Sequence, residues 1–306
     1  MNQPKIAYLY AAAAVFLWST VATAFKFTLE GMNYIQLVFY SSSVSTIILL
    51  ITSAVIFKID YKSIISSKNL FWNIFTGFLN PFLYYLVLFK AYSILPAQEA
   101  QPLNYTWPVV VSISSVIFLK NKFSAITFAG LLIAFSGVII IAVRGDFNNL
   151  HFENPLGVFL STGSSIIWAS YWIINLKIKN DPVIVLLRSF IAGTIFSFLF
   201  LLSTDSLALN EPVYILGAVY IGIFEMGITF LLWMKALQYS ADKTKISSMA
   251  YLSPFLSLMF IAIVLGEKIK MYSVIGLIFI VCGILIQNIR SVKRIQRNGS
   301  NIFNKC

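Results

Sequence analysis

Residues 124–143 read SAITFAGLLIAFSGVIIIAV, twenty positions without a charged side chain. A helix rises about 1.5 Å per residue, so this stretch alone crosses the roughly 30 Å hydrocarbon core of a bilayer. Its apolar residues run together instead of alternating, which excludes a strand of a membrane barrel. In lipid a helix satisfies its own backbone hydrogen bonds, and that is the form expected here. Nine further runs of this kind flank it, at approximately 6–25, 34–57, 71–92, 98–119, 155–175, 182–203, 212–234, 246–265 and 271–289. Five residues, Ser93 to Ala97, separate the third run from the fourth.

Composition agrees with this reading. The chain is 59% hydrophobic and 11% charged, with a mean hydropathy of +0.85, whereas soluble domains carry about 25% charge. Ten spans of about 20 residues leave no room for a water-soluble catalytic domain.

The opening stretch also has a counterpart. After Lys90-Ala91 come Pro108, Lys122, Gly130 and Gly137; after Lys235-Ala236 come Pro254, Lys268, Gly276 and Gly283. The intervals are 14 residues from proline to lysine, eight to the first glycine and seven to the next, in both halves. FLWSTVATAFK (Phe16 to Lys26) rhymes in the same way with IIWASYWIINLK (Ile166 to Lys177). Five helices is an odd number, so a tandem copy of the unit must sit in the membrane the other way up. The expected fold is therefore an all-α membrane protein of ten transmembrane helices in two inverted five-helix repeats. The repeats would occupy residues 1–147 and 148–289, followed by a basic cytoplasmic tail over 290–306. Inverted repeats are a recurrent plan of secondary transporters, with the solute site at mid-depth between the halves.

The net charge of +11 has its explanation in topology. With the N-terminus inside, sixteen Lys and Arg fall in cytoplasmic segments and five on the other face, with Arg188 inside the seventh run. This positive-inside bias puts both termini in the cytoplasm of a cell bounded by this inner or plasma membrane. The tail RSVKRIQR reads as an anchor near anionic lipid. No basic stripe is joined to a nucleic-acid reading motif, and no nucleic-acid partner is expected. Cys282 and Cys306 form no disulfide framework or metal spacing, and His151 sits in a loop beside Glu153. The first run lacks a small-residue cleavage site before Lys26 and is expected to be retained.

At these residues the sequence resembles the drug/metabolite transporter superfamily, in its EamA-type ten-helix exporters. The resemblance runs from Leu17-Trp18-Ser19 to Gly283 and is fullest in the second half. There Trp233, Ala236, Tyr251-Leu252-Ser253-Pro254, Leu265-Gly266-Glu267-Lys268, Gly276 and Gly283 follow the family pattern. In the first half Lys120-Asn121-Lys122 replaces the usual Gly-Glu, which argues against a required carboxylate at that turn. The stretch Glu99-Ala100-Gln101-Pro102-Leu103-Asn104-Tyr105-Thr106-Trp107-Pro108 is similar to the branch that exports aromatic amino acids, which carries a similar Glu and Asn-Tyr-x-Trp-Pro. That resemblance implies solute contacts for Glu99, Asn104, Tyr105 and Trp107.

Ionisable groups inside spans are costly, so each is a functional candidate. Glu225 lies near the middle of the eighth run, and the step that carries Lys90 to Lys235 carries Asn80 to Glu225. A polar side chain at matched depth in each half is what a site on the symmetry axis requires. Glu225 can carry a coupling proton or face a substrate ammonium; packing, with Arg188 as its partner, is the other reading. Glu99, at the mouth of the fourth run, reads as a vestibule charge or as the partner of Lys90. Arg188 can hold a carboxylate or reach the headgroups. Trp18, Tyr84, Tyr105, Trp107, Trp168, Tyr171, Trp172 and Tyr251 stand at span centres with polar company, where ring faces attract ammonium groups and planar solutes. Pro81, Pro102, Pro108, Pro254 and the Gly222/Gly227 pair are expected to bend their helices. The glycines seven apart lie on one face and permit close helix approach.

Phosphate-cradling, zinc-protease and nucleophile-elbow motifs are absent, and no cofactor or metal is expected. The function implied is alternating-access transport of small amphipathic metabolites, amino-acid export foremost. Nucleoside-like or adenosyl metabolites and cationic drugs are the alternative cargo, and an integral-membrane enzyme the distant alternative. The partners expected are a small-molecule substrate and the lipid bilayer, with the protein a monomer or homodimer.

Overall fold

The computed structural model describes residues 4–56, 69–110, 113, 125–147, 154–175, 178, 181–204, 207, 208, 211–240 and 243–286. Among them no residue is in a strand, and these described residues run as ten helices. They are α1 (Pro4–Thr28), α2 (Tyr34–Val55), α3 (Leu70–Ile94), α4 (Ala97–Asn104, with a further turn over 107–110), α5 (Ala125–Ala142), α6 (Pro155–Asn175), α7 (Pro182–Thr204), α8 (Tyr214–Tyr239), α9 (243–264) and α10 (Met271–Ile286). Six of them, α1, α2, α3, α6, α7 and α8, are long and apolar enough to cross a membrane. The Lys120-Asn121-Lys122 turn, His151 and the tail over 290–306 lie outside the described residues.

The bundle is apolar outside and dotted with hydroxyls inside, the inverse of a soluble protein. Leu9, Phe71, Phe135, Phe159, Leu216 and Ile263 are exposed, while Ser41, Ser45, Ser164, Ser165 and Ser189 are buried. Lipid tails are as apolar as leucine, so burying leucine between helices gains little there; small residues that let helices approach gain more. The hydroxyls can afford burial because several return a bond to their own helix, as Ser41 does to Leu37 O and Ser189 to Val185 O.

Packing between the halves is symmetric. Helix α1 lies on α8 and α9, and its counterpart α6 lies on α3 and α4. Helix α2 packs on the break in α8, and its counterpart α7 packs on the break in α3. The contact of α2 with α7 is its own counterpart, so the pseudo-twofold axis passes there, where the Thr46 and Thr194 hydroxyls meet at 2.9 Å. The match extends to single residues. A side chain at Gly77 would strike Ser189 O and Ala192, and one at the equivalent Gly222 would strike Ser41 O and Val44.

The second self-paired contact joins α5 to α10, and its register is that of the glycine pairs. A Cβ at Gly137 would meet the Gly276 carbonyl, and one at Gly283 would meet the Gly130 carbonyl. Gly137→Leu is therefore expected to destabilise the detergent-solubilised protein by about 1–3 kcal/mol, the usual cost of overpacking. Thermal unfolding checks this, with Gly163→Leu as the control, since a Cβ at Gly163 meets nothing within 4 Å. Equal midpoints for the two variants would contradict the close α5–α10 approach.

Candidate functional site

Two equivalent helices are broken near the middle. In α3 the segment Phe78–Leu83 widens to a π-type turn in which Asn80 leaves helical geometry, at φ −150° and ψ 122°. Pro81 follows; it has no N–H to donate and disfavours helical geometry in the residue before it. In α8 the segment Ile221–Glu225 widens likewise, and Gly227 departs at φ −105° and ψ −92°. The Thr229 hydroxyl donates to the Phe224 carbonyl that the break releases. Discontinuous helices at matched positions of inverted repeats are where transporters build solute sites.

Asn80 and Glu225 stand on these breaks. Asn80 is fully buried, and among the described residues neither its amide nitrogen nor its oxygen has a partner at hydrogen-bond geometry. Glu225 is 8% exposed; one carboxylate oxygen accepts from the Tyr85 hydroxyl at 3.0 Å, and the other has no partner among the described residues. A buried polar atom left without a partner costs about 1–3 kcal/mol, so these three atoms fit a site that a ligand completes.

An aromatic tier surrounds them. The Tyr84 ring lies 4.7 Å from the Trp168 ring and 4.7 Å from that of Tyr85. Trp168 also stacks on Tyr171 at 5.8 Å and meets Phe230 at 5.8 Å. The Tyr84 hydroxyl donates to Asn104 Oδ1 at 3.2 Å, and Asn104 Nδ2 donates to Ser164 Oγ at 2.7 Å. Tyr171 adjoins Asn80, and Tyr105 adjoins Ser253 while its hydroxyl donates to Ala250 O at 3.0 Å. Ser253 Oγ is a further buried atom without a partner at hydrogen-bond geometry among the described residues. Two cavities of about 460 and 510 Å³ are lined by described residues, and neither takes in Asn80 or Glu225. The unpartnered atoms of these two residues are closed from solvent, while Asn104, Tyr105 and Tyr251 of the same site are partly exposed.

The structure thus brings together Asn80, Tyr84, Asn104, Tyr105, Trp168, Tyr171 and Glu225, with Tyr251 half-buried beside Tyr105. Trp107 is half-buried at the edge of the same core. Trp18 is elsewhere: its ring meets Trp233 at 5.1 Å in a separate cluster with Ala14, Val15 and Ala236. Glu99 is also apart, and its pairing with Lys90 is corrected. It is 3% exposed, its carboxylate pairs with Arg144 at 2.8 Å and accepts from the Tyr272 hydroxyl at 2.8 Å, whereas Lys90 lies over the Tyr34 ring. Arg144 wins because the chain turns back at the end of α5 and delivers its guanidinium to the first turn of α4. Sequence reasoning missed Tyr85, Ser164, Phe230 and Ser253. Tyr85 adjoins a residue that was singled out, but only the rotation of α3 shows that it faces Glu225.

Comparison with known proteins agrees with this architecture. A solved crystal structure superposes with a TM-score of 0.68 at 20% identity, over 96% of this chain and 99% of that one. The uncharacterized transporter YvbV of Bacillus subtilis is 24% identical over 72% of this chain and 73% of its own length. The aromatic amino acid exporter YddG of Escherichia coli K12 is 25% identical over 57% of this chain and 61% of its own. The EamA-like transporter family model matches twice, over residues 5–143 and 155–289. With both halves of the chain matched by that one model, this integral membrane protein belongs to the EamA-like transporter family.

Proposed function

We propose that the protein is an alternating-access secondary transporter that exports small amphipathic metabolites, amino acids with aromatic or large apolar side chains foremost. The observation that carries this reading is the pair of buried, incompletely bonded polar residues, Asn80 and Glu225, on matched helix breaks beneath an aromatic tier. A free amino acid offers the complement. Its ammonium suits the Glu225 carboxylate and the ring faces, its carboxylate suits the Asn80 amide, and its side chain suits Tyr84, Trp168 and Phe230. The 25% identity to a protein named as an aromatic amino acid exporter points the same way. The basic residues argue for an inner or plasma membrane with both termini in the cytoplasm.

The test is counterflow in liposomes holding the purified protein. Labelled phenylalanine, tryptophan or leucine outside should accumulate against a tenfold excess of the same compound inside. Nucleosides should not accumulate. Uptake of a nucleoside, with none of any amino acid, would overturn the substrate class.

A further inference from the structure

The first turn of α4 is fastened to the start of α10 by a dense set of polar contacts. The Glu267 carboxylate accepts from the backbone N–H groups of Ala97 at 3.0 Å and Gln98 at 3.4 Å, capping α4 from the other repeat. A helix N-terminus has unpaired N–H groups and a positive dipole end, so a carboxylate is the favoured cap. The Gln98 amide donates to Lys268 O at 3.2 Å, and its oxygen accepts from Lys270 N at 2.7 Å and Ser273 Oγ at 3.3 Å. Glu99, held by Arg144, takes the Tyr272 hydroxyl. These bonds join one repeat to the other across the end where α3 passes to α4 and α9 passes to α10.

The opposite end has no matching set in the sequence. The register that carries Pro108 to Pro254 and Lys122 to Lys268 relates Glu99 to Lys245, Arg144 to Arg290, Gln98 to Thr244, Glu267 to Asn121 and Tyr272 to Ile126. At the counterpart of the ion pair stand two like charges, and at the counterparts of the capping carboxylate and the phenol stand an amide and a hydrocarbon. The fold is symmetric, and this set of side chains is not repeated in the sequence.

We propose that this set of bonds, whose residues the sequence does not repeat at the other end, is a latch that holds the central site shut toward the α3–α4 end, so that without solute the site opens first toward the other end. The proposal rests on the transport reading and sets its direction. The positive-inside count puts the latched end outside, so solute is loaded from the cytoplasm and the latch parts only for release. A cavity of about 460 Å³ lined by Lys26, Leu95, Gln98, Glu267, Lys268 and Lys270 adjoins the latch at this end.

The test uses a reporter cysteine at Gln101, one turn along α4 and buried, in a chain with Cys282→Ala and Cys306→Ala. A membrane-impermeant thiol reagent is added at the latched end, without any solute. Tyr272→Phe, which removes one hydrogen bond to a carboxylate, should speed labelling about fivefold. The combination Glu99→Lys, Glu267→Asn and Tyr272→Ile, which gives this end the residues of the other, should speed it further. Rates within twofold of the parent for Tyr272→Phe, or for a combined variant that remains monodisperse, would overturn the latch. If the combined variant does not fold, Tyr272→Phe alone decides. Because labelling needs no solute, faster labelling with no amino-acid counterflow keeps the latch and removes the substrate reading, and the reverse result does the opposite.

Discussion

Liposomes carrying Glu225→Gln are expected to exchange labelled amino acids roughly tenfold or more slowly than the parent protein, the scale set by losing a hydrogen bond to a charged group. Glutamine keeps the size of the side chain and can still accept from Tyr85, so the variant should fold. What it loses is the charge on the oxygen that has no partner among the described residues. If that oxygen faces an ammonium group, cationic and zwitterionic solutes should suffer and neutral ones should not. A loss shared equally by charged and neutral solutes would show that Glu225 serves the helix break instead of the solute.

The same variant separates binding from coupling. Around Glu225 the titratable neighbours among the described residues are the phenols of Tyr84, Tyr85, Tyr92 and Tyr105, and free phenols titrate near pH 10. A pH dependence of exchange near neutrality that disappears in Glu225→Gln would then belong to this carboxyl group. Transport unchanged at every pH in that variant would remove Glu225 from coupling. Tyr85→Phe is the companion measurement: it strips from Glu225 the one hydrogen-bond partner it has among the described residues without removing the carboxylate, and a smaller loss than in Glu225→Gln is expected.

The ten helices and their pairing were legible because they follow from one-dimensional quantities. Run length sets a span, and equal intervals set a repeat. The glycines of α5 and α10 and the match of Asn80 with Glu225 came from the same counting, and the structure puts each pair where the count requires. What counting could not supply is rotation about a helix axis and the course of a connection. Tyr85 is one residue from Tyr84, yet of the two it is Tyr85 that bonds Glu225. Glu99 pairs with Arg144, forty-odd positions away, because α5 returns to the end where α4 begins. Glu267 is recognisable as part of a family motif, but nothing along the chain says that its carboxylate caps a helix of the other repeat. Trp18 and Trp168 show the limit most sharply, since matched positions gave them the same expectation and the structure gives them different neighbours.

That difference makes the last prediction discriminating. Trp168→Ala is expected to raise the KM for tryptophan or phenylalanine roughly 30-fold and that for leucine only about threefold, because ring–ring contacts add about 0.5–1.5 kcal/mol each beyond the area they bury. Trp168 now spends its faces on Tyr84, Tyr171 and Phe230, and a planar solute entering the tier would take one of those places. Trp168→Phe retains a face and should recover most of the loss. Trp18→Ala should instead lower the thermal unfolding midpoint with little change in KM, since Trp18 packs on Trp233 in a hydrophobic cluster separate from the one that holds Tyr84 and Trp168. Counterflow kinetics of the three variants against aromatic and aliphatic solutes measure this directly. If Trp18→Ala and Trp168→Ala raise KM alike, the solute lies between the two tryptophans, on the axis, and the site built around Tyr84 and Trp168 is misplaced. If Trp168→Ala weakens leucine as much as tryptophan, the tier supports the fold of α3 and α6 and has no part in choosing the cargo.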